Sequence, residues 1–98
     1  MSETQTIERI RPDLTDEPVS DSIGDHIVIV FDNDHNTWDE VIGILQKATG
    51  CSLEEAEMET WEIDNTGRSV VHHGDQAECE RAAAIIATIG IQVAVERV

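Results

Sequence analysis

The chain has 98 residues, with 21 Asp and Glu against 6 Lys and Arg and a formal net charge of −15. That length holds one domain, and that charge repels phosphate backbones and anionic membrane surfaces, so neither nucleic acid nor membrane is expected as a partner. No apolar run reaches the roughly 18 residues a membrane span needs, no apolar signal core opens the N-terminus, and Cys51 and Cys79 suit reduced thiols, so a cytoplasmic location is expected.

Residues 1–25 carry 7 acids and 2 bases. Their few apolar side chains (Ile7, Ile10, Leu14, Val19, Ile23) are scattered, and Pro12 and Pro18 interrupt them. Such a stretch buries too little to offset its ordering entropy. Residues 1–24 are therefore expected to form a flexible acidic tail, and 25–98 the core domain.

The core opens with His26-Ile-Val-Ile-Val-Phe31, a short β-branched run suited to a central strand covered on both faces. Asp32 to Asn36 are turn formers. Thr37-Trp-Asp-Glu40 has the form of a capping box. Behind it Trp38, Val41, Ile42, Leu45 and Ala48 recur at helical spacing, and Gly50 stands where a helix C-cap glycine belongs. Ser52 and Glu55 make a second capping box, starting a short acidic helix from about Leu53 to Glu62 with Leu53, Ala56 and Trp61 inward. Asp64-Asn-Thr-Gly67 reads as a turn and Arg68–His73 as a strand. Asp75 caps a third helix carrying Ala82, Ala83, Ile85, Ile86 and Ile89, which Gly90 ends. Ile91–Glu96 alternates as a last strand. The order β-α-α-β-α-β predicts an α/β (α+β) two-layer sandwich, a three-stranded sheet with helices on one face.

Little here suggests catalysis or metal binding. Asp32, Asp34 and Asn36 sit at positions one, three and five of a calcium loop, but Thr37 replaces the sixth-position Gly and Gly43 the twelfth-position Glu. His72 and His73 are neighbours on a strand and point to opposite faces. Cys51 lies among acids, a poor setting for a nucleophilic thiolate. No nucleophile elbow and no phosphate-cradling glycine loop occur. No enzyme, cofactor or metal is expected. Glu54, Glu55, Glu57, Glu59 and Glu62 read as a solvated helix face.

One constellation remains. Asp32, Asn33 and Asp34 end the first strand, Trp38 and Val41 follow on the first helix, and Thr60, Ile63 and Asp64 close the second. With the two helices side by side, these groups rim a pocket that is apolar inside and acidic at its mouth. It suits a cation attached to an apolar side chain, as at the free N-terminus of a polypeptide.

The same residues resemble the ClpS family, adaptors that hand N-degron substrates to the Clp unfoldase–protease. The resemblance rests on Ile27-Val-Ile-Val-Phe31 running into Asp32-Asn-Asp34, on Asn36-Thr37, on Val41-Ile-Gly-Ile-Leu-Gln-Lys47, on Ala56 and on Gly67-Arg68, and covers about residues 26–98. It looks most like a divergent bacterial branch. It implies the same fold and a non-enzymatic adaptor whose partners are N-degron substrate proteins and the N-terminal domain of a Clp AAA+ unfoldase. Asp32, Asp34 and Asp64 would receive the ammonium, and Asn33 and Asn36 would supply neighbouring hydrogen bonds. Trp38, Val41, Thr60 and Ile63 would line the side-chain pocket. Relative to the family pattern, Asp32 and Asn33 exchange an amide and a carboxylate, and Asp64 replaces the amine-binding histidine. Trp38 and Thr60 replace the gate methionines. The docking Glu and Lys of the third helix fall at Ala77 and Ala82, leaving Glu78 and Arg81 as substitutes. These departures keep an alternative open: an interaction module of the same fold that no longer recognises N-degrons.

Overall fold

The computed structural model describes residues 24–98. The expected tail over 1–24 lies outside them except for Gly24. The elements are β1 (His26–Phe31), α1 (Trp38–Thr49), α2 (Leu53–Thr66), β2 (Arg68–Gly74), α3 (Gln76–Ala87) and β3 (Val93–Arg97). The order is the one expected, and the sheet runs β2-β1-β3 with both pairings antiparallel.

Each helix starts at the cap residue its sequence promises, but of the two capping boxes expected only the one at Thr37 closes; Glu55 does not return the bond to Ser52. Thr37 Oγ1 accepts the Glu40 N–H at 3.2 Å, and Glu40 returns the bond by accepting the Thr37 N–H at 2.9 Å. Ser52 and Asp75 accept from Glu55 and Glu78 in the same way. These bonds satisfy amide groups that a helix start otherwise leaves unpaired.

Val28 and Val30 of β1 are fully buried and join Leu45 of α1, Ala56 and Ile63 of α2, and Cys79, Ala82 and Ile86 of α3 in one core. Burying a side chain such as Leu45 stabilises the fold by about 2 kcal/mol. Both cysteines are free, with Cys79 inside this core. On the other side of β1, Ile29 is buried outside that cluster while Ile27 and Phe31 are half-buried, so the helices cover the central strand from one side only.

The register of β1 against β2 shifts between Val28 and Ile29, where Val28 faces His72 and Ile29 faces Val70. Val71 is the extra residue. A bulge of this kind turns two consecutive side chains toward one partner, so Val71 is buried and His72 is half-buried, reaching Glu78 on α3 at 2.7 Å. His73 is exposed.

The acidic helix is longer than its sequence suggests. It runs to Thr66, and Gly67 caps it with φ 97°, a left-handed conformation that glycine adopts at little cost. The supposed turn residues are helical, with the Asn65 amide and Thr66 hydroxyl donating back to the Trp61 and Glu62 carbonyls, each at 2.8 Å. Its inner stripe is Ala56, Thr60 and Ile63; Leu53 and Trp61, expected inward, are exposed. At the far end of the sheet the Val98 N–H donates to the Asp25 carbonyl at 2.8 Å, and the Arg97 guanidinium lies 3.4 Å from the Asp25 carboxylate.

Candidate functional site

The chain leaving β1 is pinned twice. The Phe31 N–H donates to the Gln92 carbonyl at 3.0 Å, and the Asp32 N–H to the Gly67 carbonyl at 2.9 Å. The second bond draws Asp32 to the C-terminal turn of α2, where Asp64 stands.

The loop that follows is held by its own amides. Asn33 Oδ1 accepts the N–H groups of His35 and Asn36, each at 3.2 Å, and Asn33 Nδ2 donates to Asn36 Oδ1 at 2.8 Å. Asn36 Nδ2 donates in turn to the Ile89 carbonyl at 2.9 Å and to Glu40 Oε1 at 3.2 Å. The bond from the Thr37 N–H, with help from the Asn36 amide, holds the Glu40 carboxyl below the usual carboxylate range. The loop thus reaches Thr37 in a fixed pose, and the capping box sets Trp38 as the first residue of α1.

Between α1, α2 and this loop lies a cavity of about 50 Å³. Val41, Thr60, Ile63 and Ile91 are buried at its base, and Trp38 forms an exposed wall. Thr60 gives its hydroxyl proton to the Ala56 carbonyl at 2.7 Å, which satisfies its donor within the helix. Asp32 and Asp64, both exposed, stand at the edge, and Asn33, Asn36 and Thr37 complete the lining. The lining contains no basic side chain. An ammonium entering here meets carboxylates whose charge no neighbouring cation in the lining has cancelled, and charge-assisted bonds of that type are the stronger class.

Eight of the nine pocket residues named from sequence line this one cavity. Asp34 does not; it is exposed in the turn beyond it. Thr37 and Ile91 were missed. Thr37 was legible only as a cap. Ile91 follows the Gly90 turn and enters the lining through the fold alone. Asn33 and Asn36 act as struts, their amides largely occupied by the loop.

The two docking candidates lie on α3, outside the cavity lining. Arg81 is exposed, whereas Glu78 is half-buried against His72. Ala82 is core. Among the described residues, no group of three or more His, Cys, Asp or Glu is placed to hold a metal ion, and no helix is long and apolar enough to cross a membrane.

Residues 24–92 match the family model of the ATP-dependent Clp protease adaptor protein ClpS. The chain belongs to the ClpS family. Among solved structures, Agrobacterium tumefaciens ClpS2 bound to L-phenylalaninamide shares the fold at a TM-score of 0.70 and 15% identity, over 74% of this chain and 95% of that one. Among curated proteins, human E3 ubiquitin-protein ligase UBR1 is 41% identical over 54 residues, 55% of this chain and 3% of the ligase. Caenorhabditis elegans E3 ubiquitin-protein ligase ubr-1 is 24% identical over 78 residues, 80% of this chain and 4% of the ligase. The ClpS-like chain therefore corresponds to a small part of those ligases.

Proposed function

We propose that this ClpS-family protein is a cytoplasmic adaptor that binds the free N-terminus of substrate polypeptides and delivers them to a Clp AAA+ unfoldase–protease. The carrying observation is one cavity with an apolar base (Val41, Ile63, Ile91) and two exposed carboxylates, Asp32 and Asp64, at its edge. The ammonium of the first residue sits between the carboxylates and its side chain points inward beside Trp38. The phenylalaninamide bound to ClpS2 combines the same groups: a free α-amine, an apolar side chain and an amide in place of the next peptide bond. Unfoldase docking through Glu78 and Arg81 belongs to the same reading.

The test is a titration of labelled peptides that differ only in carrying a free or an acetylated N-terminus. Binding of the free form alone is expected; equal, weak binding of both rejects amine recognition. The second reading, an interaction module without N-degron recognition, draws on Glu78, whose carboxylate is already engaged by His72. Capture of a partner other than a Clp unfoldase, with no amine dependence, would favour it.

A further inference from the structure

The chain has two tryptophans and no tyrosine, and both tryptophans are spent on the surface: Trp38 is 46% and Trp61 56% exposed. Met58, 72% exposed, stands beside them. Together with Glu54 and Glu57 they line an open recess of about 540 Å³. On α2 the four residues 54, 57, 58 and 61 follow helical spacing and form one outward stripe, turned away from the buried stripe of Ala56, Thr60 and Ile63.

Trp38 is common to this recess and to the smaller cavity that takes the N-terminal residue. A chain anchored by its first residue therefore leaves that cavity directly onto the aromatic stripe. The recess has two acids in its lining and no base. A second copy of the protein, with its net charge of −15, is repelled there, as is the chain's own acidic residues 1–25. Exposed indole faces beside carboxylates suit guanidinium and ammonium groups, which stack on the ring while pairing with the acid.

We propose that the Trp38–Met58–Trp61 recess is a second subsite, which holds the substrate residues directly after the N-terminal one and selects basic side chains there. The inference rests on the N-terminus reading above.

The experiment is fluorescence anisotropy with peptides that share one N-terminal residue and carry Lys-Arg, Ala-Ala or Glu-Glu at positions two and three, each free and acetylated. Wild type should bind the free Lys-Arg peptide about fivefold more tightly than Ala-Ala, the scale of one exposed cation–π contact with a glutamate pair. Trp61→Ala and Glu57→Gln should each reduce that preference, whereas Glu96→Gln, outside the recess, should leave it in place. Amine-dependent binding that ignores positions two and three overturns the subsite alone. A basic preference that Glu96→Gln reduces as much as Glu57→Gln assigns it to the overall field and also overturns the subsite. Loss of the difference between free and acetylated peptides overturns both readings. A concentration-dependent dimer abolished by Trp61→Ala gives the patch to a second copy and overturns it as well.

Discussion

Asn36 Nδ2 donates to the Ile89 carbonyl at 2.9 Å, joining the loop after β1 to the turn after α3 across 53 positions of sequence. The oxygen of the same Asn36 side-chain amide accepts from Asn33 Nδ2, so one side chain fixes both the loop's inner shape and its place on the fold. Asn36→Ala should therefore cost about 1–2 kcal/mol of stability and weaken binding of free-amine peptides as well. Urea unfolding beside a peptide titration measures both; a variant that keeps its affinity contradicts the strut.

In the proposed function the two carboxylates at the cavity edge, Asp32 and Asp64, carry the charge recognition. Asp32→Asn and Asp64→Asn should each weaken a free-amine peptide by about tenfold, the loss of roughly one charged hydrogen bond. Affinity should fall with rising salt, since both groups are exposed. Unchanged affinity in both variants would remove the acids from the site.

Trp38 limits the space. A cavity of about 50 Å³ has room for only a few waters, so with the indole in this position a small first side chain fits best. Trp38→Ala should move preference toward bulky first residues such as Phe. A series of peptides varying only at position one reads the change, and an unaltered ranking would refute the steric role.

Glu59 marks a stability cost on α2. Burial, then the charges of Glu55 and Glu62, push its carboxyl up from the ordinary 4.5 to about 7, and its Oε1 is buried without a hydrogen-bond partner. Because the folded value is raised, the associated stability is complete below pH 4.5 and is lost as pH rises through 7. Glu59→Gln should stabilise the protein at pH 8 by about 1–2 kcal/mol, a figure reduced for the group's half-exposure, and should change little at pH 4. Equal melting shifts at the two pH values would contradict this.

What the sequence made legible was local. Thr37, Ser52 and Asp75 announce helix starts because a cap needs only its own next turn. The strand HIVIVF announces the sheet centre by composition. The cavity followed from three short segments whose order fixed their meeting place. What stayed hidden depended on distant or back-folded bonds. Asp64-Asn-Thr looks like a turn until Asn65 and Thr66 bond back to their own helix. Trp61 looks like core until Thr60 and Ile63 are seen to take that face. The β2 bulge has no mark in RSVVHHG, and Ile91 joins the pocket only once β3 lies beside β1.

The bond from Val98 to Asp25 sets the segment entering β1 beside the segment leaving β3. A unit so arranged can be spliced into a host loop without stretching either flank, since its two seams lie a hydrogen bond apart. That geometry suits an element housed inside longer chains, as the similar stretch is in ligases of which it makes up 3% of the length.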